Sequence, residues 1–96
     1  MRTANKKPEL PTLLSKLARA AGDPDAGTGR LAALLRRHPE LLSPETVERL
    51  AESAREKVRV DALESLQFAE AALAIGRAIG NEESQARGLR AKANSL

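Results

Sequence analysis

Glu48, Glu52 and Glu56 recur at a spacing of four and so share one face of any helix that carries them. Paired carboxylates do acid and base work when burial tunes them. An open helix face supplies no such burial, so the row reads as a solvated or partner-facing edge. His38 is the single histidine and sits between Arg37 and Pro39. A general base needs a positioned partner, and a metal site needs further ligands. With neither a cysteine nor a second histidine at hand, His38 reads as a loop residue. Gly27-Thr28-Gly29-Arg30, ahead of a helix, could turn N–H groups toward a phosphate. No Lys-Ser/Thr pair follows it and no strand precedes it, so it reads as a turn and not a P-loop. Arg87, Arg90 and Lys92, with Arg77 behind them, form a basic set. Nucleic-acid surfaces add aromatic platforms or a longer basic stripe, and this chain has one Phe and neither Tyr nor Trp. No catalytic residue, metal site or cofactor is expected.

The composition sets what can hold such residues in place. Ninety-six residues make one small domain with little core to spare. The apolar fraction of 42% depends on 18 alanines, which points to a thin, helix-rich core. A net charge of +3 is a small basic excess, because acidic residues are interleaved with the basic ones. The absence of cysteine excludes a disulfide framework, a thiolate metal site and a thiol nucleophile, and fits a reducing, cytoplasmic setting. The first ten residues carry positive charge with no apolar run behind it. No stretch approaches the ~18 apolar residues of a membrane span, so no membrane association is expected.

Residues 61–80 carry the strongest helical pattern. Ala62, Leu66, Ala69, Leu73 and Gly76 make one stripe, and Phe68, Ala72, Ile75 and Ile79 make a second beside it. A surface helix needs a stripe only roughly 100° wide, so this one should touch at least two others, with Leu66 at the centre of the inner stripe. Asp61 with Glu64 marks its start and Gly80 its end. Before it, residues 1–10 read as a disordered basic arm, and a helical pair occupies 11–42. The first helix of that pair buries Leu13, Leu14, Leu17, Ala18 and Ala21 and stops at Gly22. A turn-rich loop, Asp23 to Gly29, follows it. The second helix, about 30–37, buries Leu31, Leu34 and Leu35, and a turn pinned by Leu41 and Leu42 closes the pair. Ser43-Pro44-Glu45 is a strong helix start, and Val47, Leu50, Ala51, Ala54 and Val58 mark the buried face behind it. Asn81 can cap a fifth helix with Ala86, Leu89, Ala93 and Leu96 on its apolar face. No strand is visible.

Val47, Ala51 and Ala54 recur as Leu89, Ala93 and Leu96, each pair 42 residues apart, with the central helix between them. This order, a helix, a second helix and the first again, is the grammar of an α-solenoid. Residues 43–96 resemble a bacterial tetratricopeptide (TPR) repeat of the long type followed by the first helix of a second repeat. Ala51 and Ala93 stand where such repeats place a small residue, and Ala62, Leu66 and Ala69 look like their small-large-small second helix. The aromatic usual three residues after the small one is replaced by Ala54 and Leu96. The segment HPELLSPE resembles the lead-in to repeat arrays of large bacterial proteins, some of which carry a caspase-like protease domain further along. That likeness implies the N-terminal piece of a longer regulatory protein.

The expected fold is therefore all-α, a TPR-like α-solenoid fragment of about five helices in antiparallel hairpins. The resemblance implies a protein–protein interaction module, not an enzyme, which holds a peptide or helix in a polar groove. Carried over residue by residue, it places Glu48, Glu52 and Arg55 of one repeat and Arg90 and Asn94 of the next along that groove, and Arg87 of the basic set joins them as a candidate partner-binding residue. Two alternatives stand beside it: a small basic nucleic-acid-associated protein, and a bundle that self-associates through its C-terminal helix.

Overall fold

The computed structural model of the chain describes residues 10–22 and 29–95. Most of the expected basic arm, most of the turn-rich loop and Leu96 lie outside these residues. The described residues form five α-helices and no strand: α1 (Leu10–Gly22), α2 (Gly29–Arg37), α3 (Pro44–Lys57), α4 (Ala62–Ile79) and α5 (Glu82–Ser95), with a single 3-10 turn at Pro39–Leu41.

Helix ends follow local chemistry. Ser43 Oγ accepts from the Thr46 amide at 3.3 Å, Asp61 Oδ1 from Glu64 at 3.0 Å and Asn81 Oδ1 from Ser84 at 2.9 Å. Each bond satisfies one amide that a helix start leaves unpaired. Gly80 takes a left-handed φ of 65°. Its amide reaches Arg77 O and the Asn81 amide reaches Gly76 O, a Schellman ending whose left-handed backbone strains any residue with a Cβ although the space beside it is open. Four residues separate α3 from α4 and two separate α4 from α5. Such short links force successive helices into antiparallel neighbours.

Helix α4 packs on α1, α3 and α5, whereas α2 packs on α1 and the 3-10 turn. Phe68, Ala69, Ala71, Ala72, Leu73, Ile75 and Gly76 are all buried along its middle. The strip that stays partly open runs through Leu63, Leu66, Glu70, Ala74 and Arg77. Leu66 therefore does not lie at the centre of the inner stripe. It is half-buried and Ala62 is exposed, while Ser65 is fully enclosed. Three neighbours rotate the buried arc toward Ser65 and Phe68, a preference that a two-stripe reading does not contain. Ala20 is likewise buried in α1, with Ala21 only half-buried. Leu34 and Leu35 are half-buried because α2 lies at the periphery, and Leu42, at 38% exposure, leaves Leu41 to pin the turn alone.

The larger correction concerns α5. Ala86, Leu89 and Ala93 face outward, Leu89 with 51% of its surface exposed, and the buried residues are Ser84, Gly88, Ala91 and Ser95. The cause lies in the backbones. A Cβ on Gly88 would stand 2.6 Å from Leu73 Cα, and one on Gly76 would stand 3.0 Å from Gln85 N. The two helices touch main chain to main chain, and a leucine in that seam would hold them apart. Buried positions spaced like Val47, Ala51 and Ala54 of α3 thus fall on Ser84, Gly88 and Ala91, not on the residues 42 further along the chain.

Two consequences can be measured in urea melts. Gly88→Ala gains roughly 1 kcal/mol of helix propensity but must spread two backbones. Overpacking of that kind costs about 1–3 kcal/mol, so a net loss of stability is expected. Gly29→Ala, with nothing within 4 Å of the added Cβ, should show none. Phe68→Ala, at 4% exposure, should cost about 3–5 kcal/mol and Leu66→Ala clearly less. A Leu66 variant as unstable as the Phe68 variant would mean that the buried arc of α4 has been misplaced.

Candidate functional site

Helices α3 and α5 both rest on α4 and lie side by side. Their caps, Ser43 and Asn81, start them in parallel. Glu48 faces Arg87 near one end and Val58 lines the same space as Ser95 near the other. Between them runs a groove of about 290 Å3. Its floor is made of small residues, Ala51, Ala54, Ala91 and Ser95, because the short side chains that let α5 settle on α4 leave depth beside α3. Glu48, Glu52 and Arg55 line it from α3, and Arg87, Arg90 and Asn94 line it from α5. All six candidate partner-binding residues border this one space.

Its electrostatics are uneven. Arg87 Nη2 lies 3.8 Å from Glu48 Oε2 across the groove and 3.4 Å from Glu83 Oε2 one turn back. Glu48 and Arg87 are 56% and 43% exposed, so this pairing sets side-chain position more than it adds stability, about 0–1 kcal/mol for exposed pairs. Arg55 and Arg90 form no ion pair or hydrogen bond among the described residues. One end of the groove carries the Glu48–Arg87 pair, and the rest offers the Arg55 and Arg90 guanidinium groups, the Glu52 carboxylate and the Asn94 amide.

Beneath the floor, a hydroxyl chain joins three helices. Ser65 Oγ of α4 lies 2.6 Å from Ala54 O of α3 and 2.7 Å from Ser95 Oγ of α5, which itself lies 2.9 Å from Ala91 O. Two hydroxyl protons serve three contacts. Ala54 O can only accept, so Ser65 donates to it, and the single Ser95 proton is divided between Ala91 O and Ser65 Oγ. Sequence reasoning missed Ser65, Ser84 and Ser95, because serine enters a hydropathy pattern as surface. The signal was the regular spacing of Ser84 and Ser95 with Gly88 and Ala91 along α5, and Ser65 of α4 left none.

No protein-family model matches the chain, and no curated protein or solved structure matches it either. Among the described residues no group of three or more His, Asp or Glu is placed to hold a metal ion, and no helix is long and apolar enough to cross a membrane. His38 Nδ1 lies 3.5 Å from Glu40 Oε2 beside the 3-10 turn, away from the groove. Gly27 and Thr28 lie outside the described residues, while Gly29 and Arg30 open α2. The basic set of α5 is divided: Lys92 pairs with Glu70 of α4 at 3.5 Å, Arg87 turns to Glu48 and Glu83, and Arg90 has no partner among the described residues.

Proposed function

We propose that this chain is a TPR-like helical module of a cytoplasmic protein, with no catalytic role, whose work is to hold a peptide or helix of a partner protein in the polar groove between α3 and α5. The observation that carries this reading is the groove: two parallel helices set charged side chains of both signs around a floor of small residues, with Arg55 and Arg90 unpaired. The repeat grammar supports it, because α3 and α4 form an antiparallel pair and α5 returns alongside α3. A binding groove of this sort gains specificity from charge placement more than from buried area.

Peptides selected from a display library on the wild-type chain supply the test. Arg90→Glu should weaken their binding by about tenfold or more, as loss and reversal of a charged contact does, while the helical circular dichroism is unchanged. Affinities that stay within about twofold would move the binding surface away from α3 and α5.

Exposed Leu89, flanked by Ala86 and Ala93 on the outer face of α5, favours a second reading, self-association through that helix. Sedimentation should then show mass rising with concentration, and Leu89→Lys should abolish the rise without lowering the melting temperature. A chain that stays monomeric at high concentration removes this reading.

A further inference from the structure

Helices α1, α3 and α5 enclose α4 on three sides, and its fourth side carries the strip Leu63, Leu66, Glu70, Ala74 and Arg77. Gln85, Leu89 and Lys92 of α5 run beside that strip, since Lys92 Nζ crosses to Glu70 Oε2 at 3.5 Å. Exposed hydrocarbon collects on this face. Leu63 is 66% exposed, Leu89 is more than half exposed, and Val60, in the link before α4, is 79% exposed. Apolar surface gathered on one side of a small protein marks an interaction face. The Glu70–Lys92 pair divides it into two ends. Leu63 and Leu66 lie at one, and Leu89 lies beside Ala74 at the other, because Gly88 abuts the Leu73 backbone one residue back on each helix. Residues 1–9 of the chain offer only Met1 and Ala4 with which to cover leucines.

We propose that this face is the seam of a homodimer, in which α4 packs antiparallel on α4 of a second copy about a two-fold axis at Glu70. The proposal deepens the reading of self-association through α5 and rests on it. The spacing names the occupant. Leu63 and Arg77 each stand seven residues from Glu70, and Leu66 and Ala74 each stand four, so the reversed strip meets itself in register. A two-fold interface requires this property, that residue i meets j while j meets i. Leu66 of one copy then lies over Ala74 of the other, large against small, with Leu89 as a second wall. The alkyl stem of Arg77 lies over the partner's Leu63, a use of long cationic side chains that keeps the charge in water. From Leu63 to Arg77 the strip runs about 21 Å at 1.5 Å per residue. The charges fit as well. Two Glu70 carboxylates approach the axis, and the Lys92 beside each makes the cluster of four neutral. The α3 flank of α5, where Arg87, Arg90 and Asn94 project, lies on the other side of that helix, so the groove of each copy stays open in the dimer.

Charge exchange across the axis tests the seam. Glu70→Lys gives a copy two cations there and Lys92→Glu gives it two carboxylates, so a homodimer of either variant gathers four like charges. In analytical ultracentrifugation each variant alone should associate at least about tenfold more weakly than wild type, as like charges brought together do. An equimolar mixture of the two should regain the dimer. Recovery on mixing cannot arise from the Glu70–Lys92 contact within one chain. Leu63→Lys should also give a monomer with unchanged helical circular dichroism, because its side chain is already largely in solvent. Ala86→Lys, on the side of α5 opposite its contact with α4, should leave the dimer affinity within about twofold. Mixtures no more associated than the separate variants would overturn the proposal. A dimer that survives Leu63→Lys, or is lost with Ala86→Lys, would overturn it too and leave association through the outer face of α5 standing. A wild-type chain that stays monomeric at high concentration would remove both.

Discussion

Main-chain contact between α4 and α5 is the constraint on which the rest of the structure depends. Gly76 admits the start of α5, Gly88 admits the backbone at Leu73, and Ser65 meets Ser95 at the far end. The close approach sets the rotation of α5 about its axis, and that rotation decides which side chains it offers to α3. With Ser84, Gly88 and Ala91 turned down, Arg87, Arg90 and Asn94 border the groove and Leu89 points to solvent. A seam of small residues buries little hydrocarbon. Its stability rests on dense van der Waals contact, which falls off steeply with even a small gap.

The hydroxyl chain through Ser65 closes the other end of the same seam. Buried hydroxyls cost free energy unless they are paired, and here each finds a partner on a different helix. Leucines could fill the volume in many rotations, whereas the hydroxyls are satisfied in one. This ties α3, α4 and α5 to a single register although much of the apolar content of the chain is in its 18 alanines.

What the sequence disclosed follows the range of the forces involved. Helix caps at Ser43, Asp61 and Asn81 and the ending at Gly80 are decided within three or four residues, so they were legible. The central position of α4 was legible from the width of its apolar surface. The face of α5 was not, since the rule that large apolar residues point inward fails where glycine and serine allow a closer approach. The six groove residues still border one space, because that depends on which helices lie side by side more than on the exact face α5 buries. The hollow between α1 and α3 was legible only through the row Glu48, Glu52 and Glu56 on its α3 side, read as a solvated or partner-facing edge. It exists because α1 docks on α4, and no local signal encodes the distance it keeps from α3.

The outer ridge of α3 separates the groove beside α5 from this hollow, and Glu48 and Glu52 border both spaces. A side chain that points into one space is withdrawn from the other. Were both spaces to hold ligands, one that drew Glu52 to its own side would change the affinity of the other, and thermodynamic reciprocity would make the effect equal in the reverse direction.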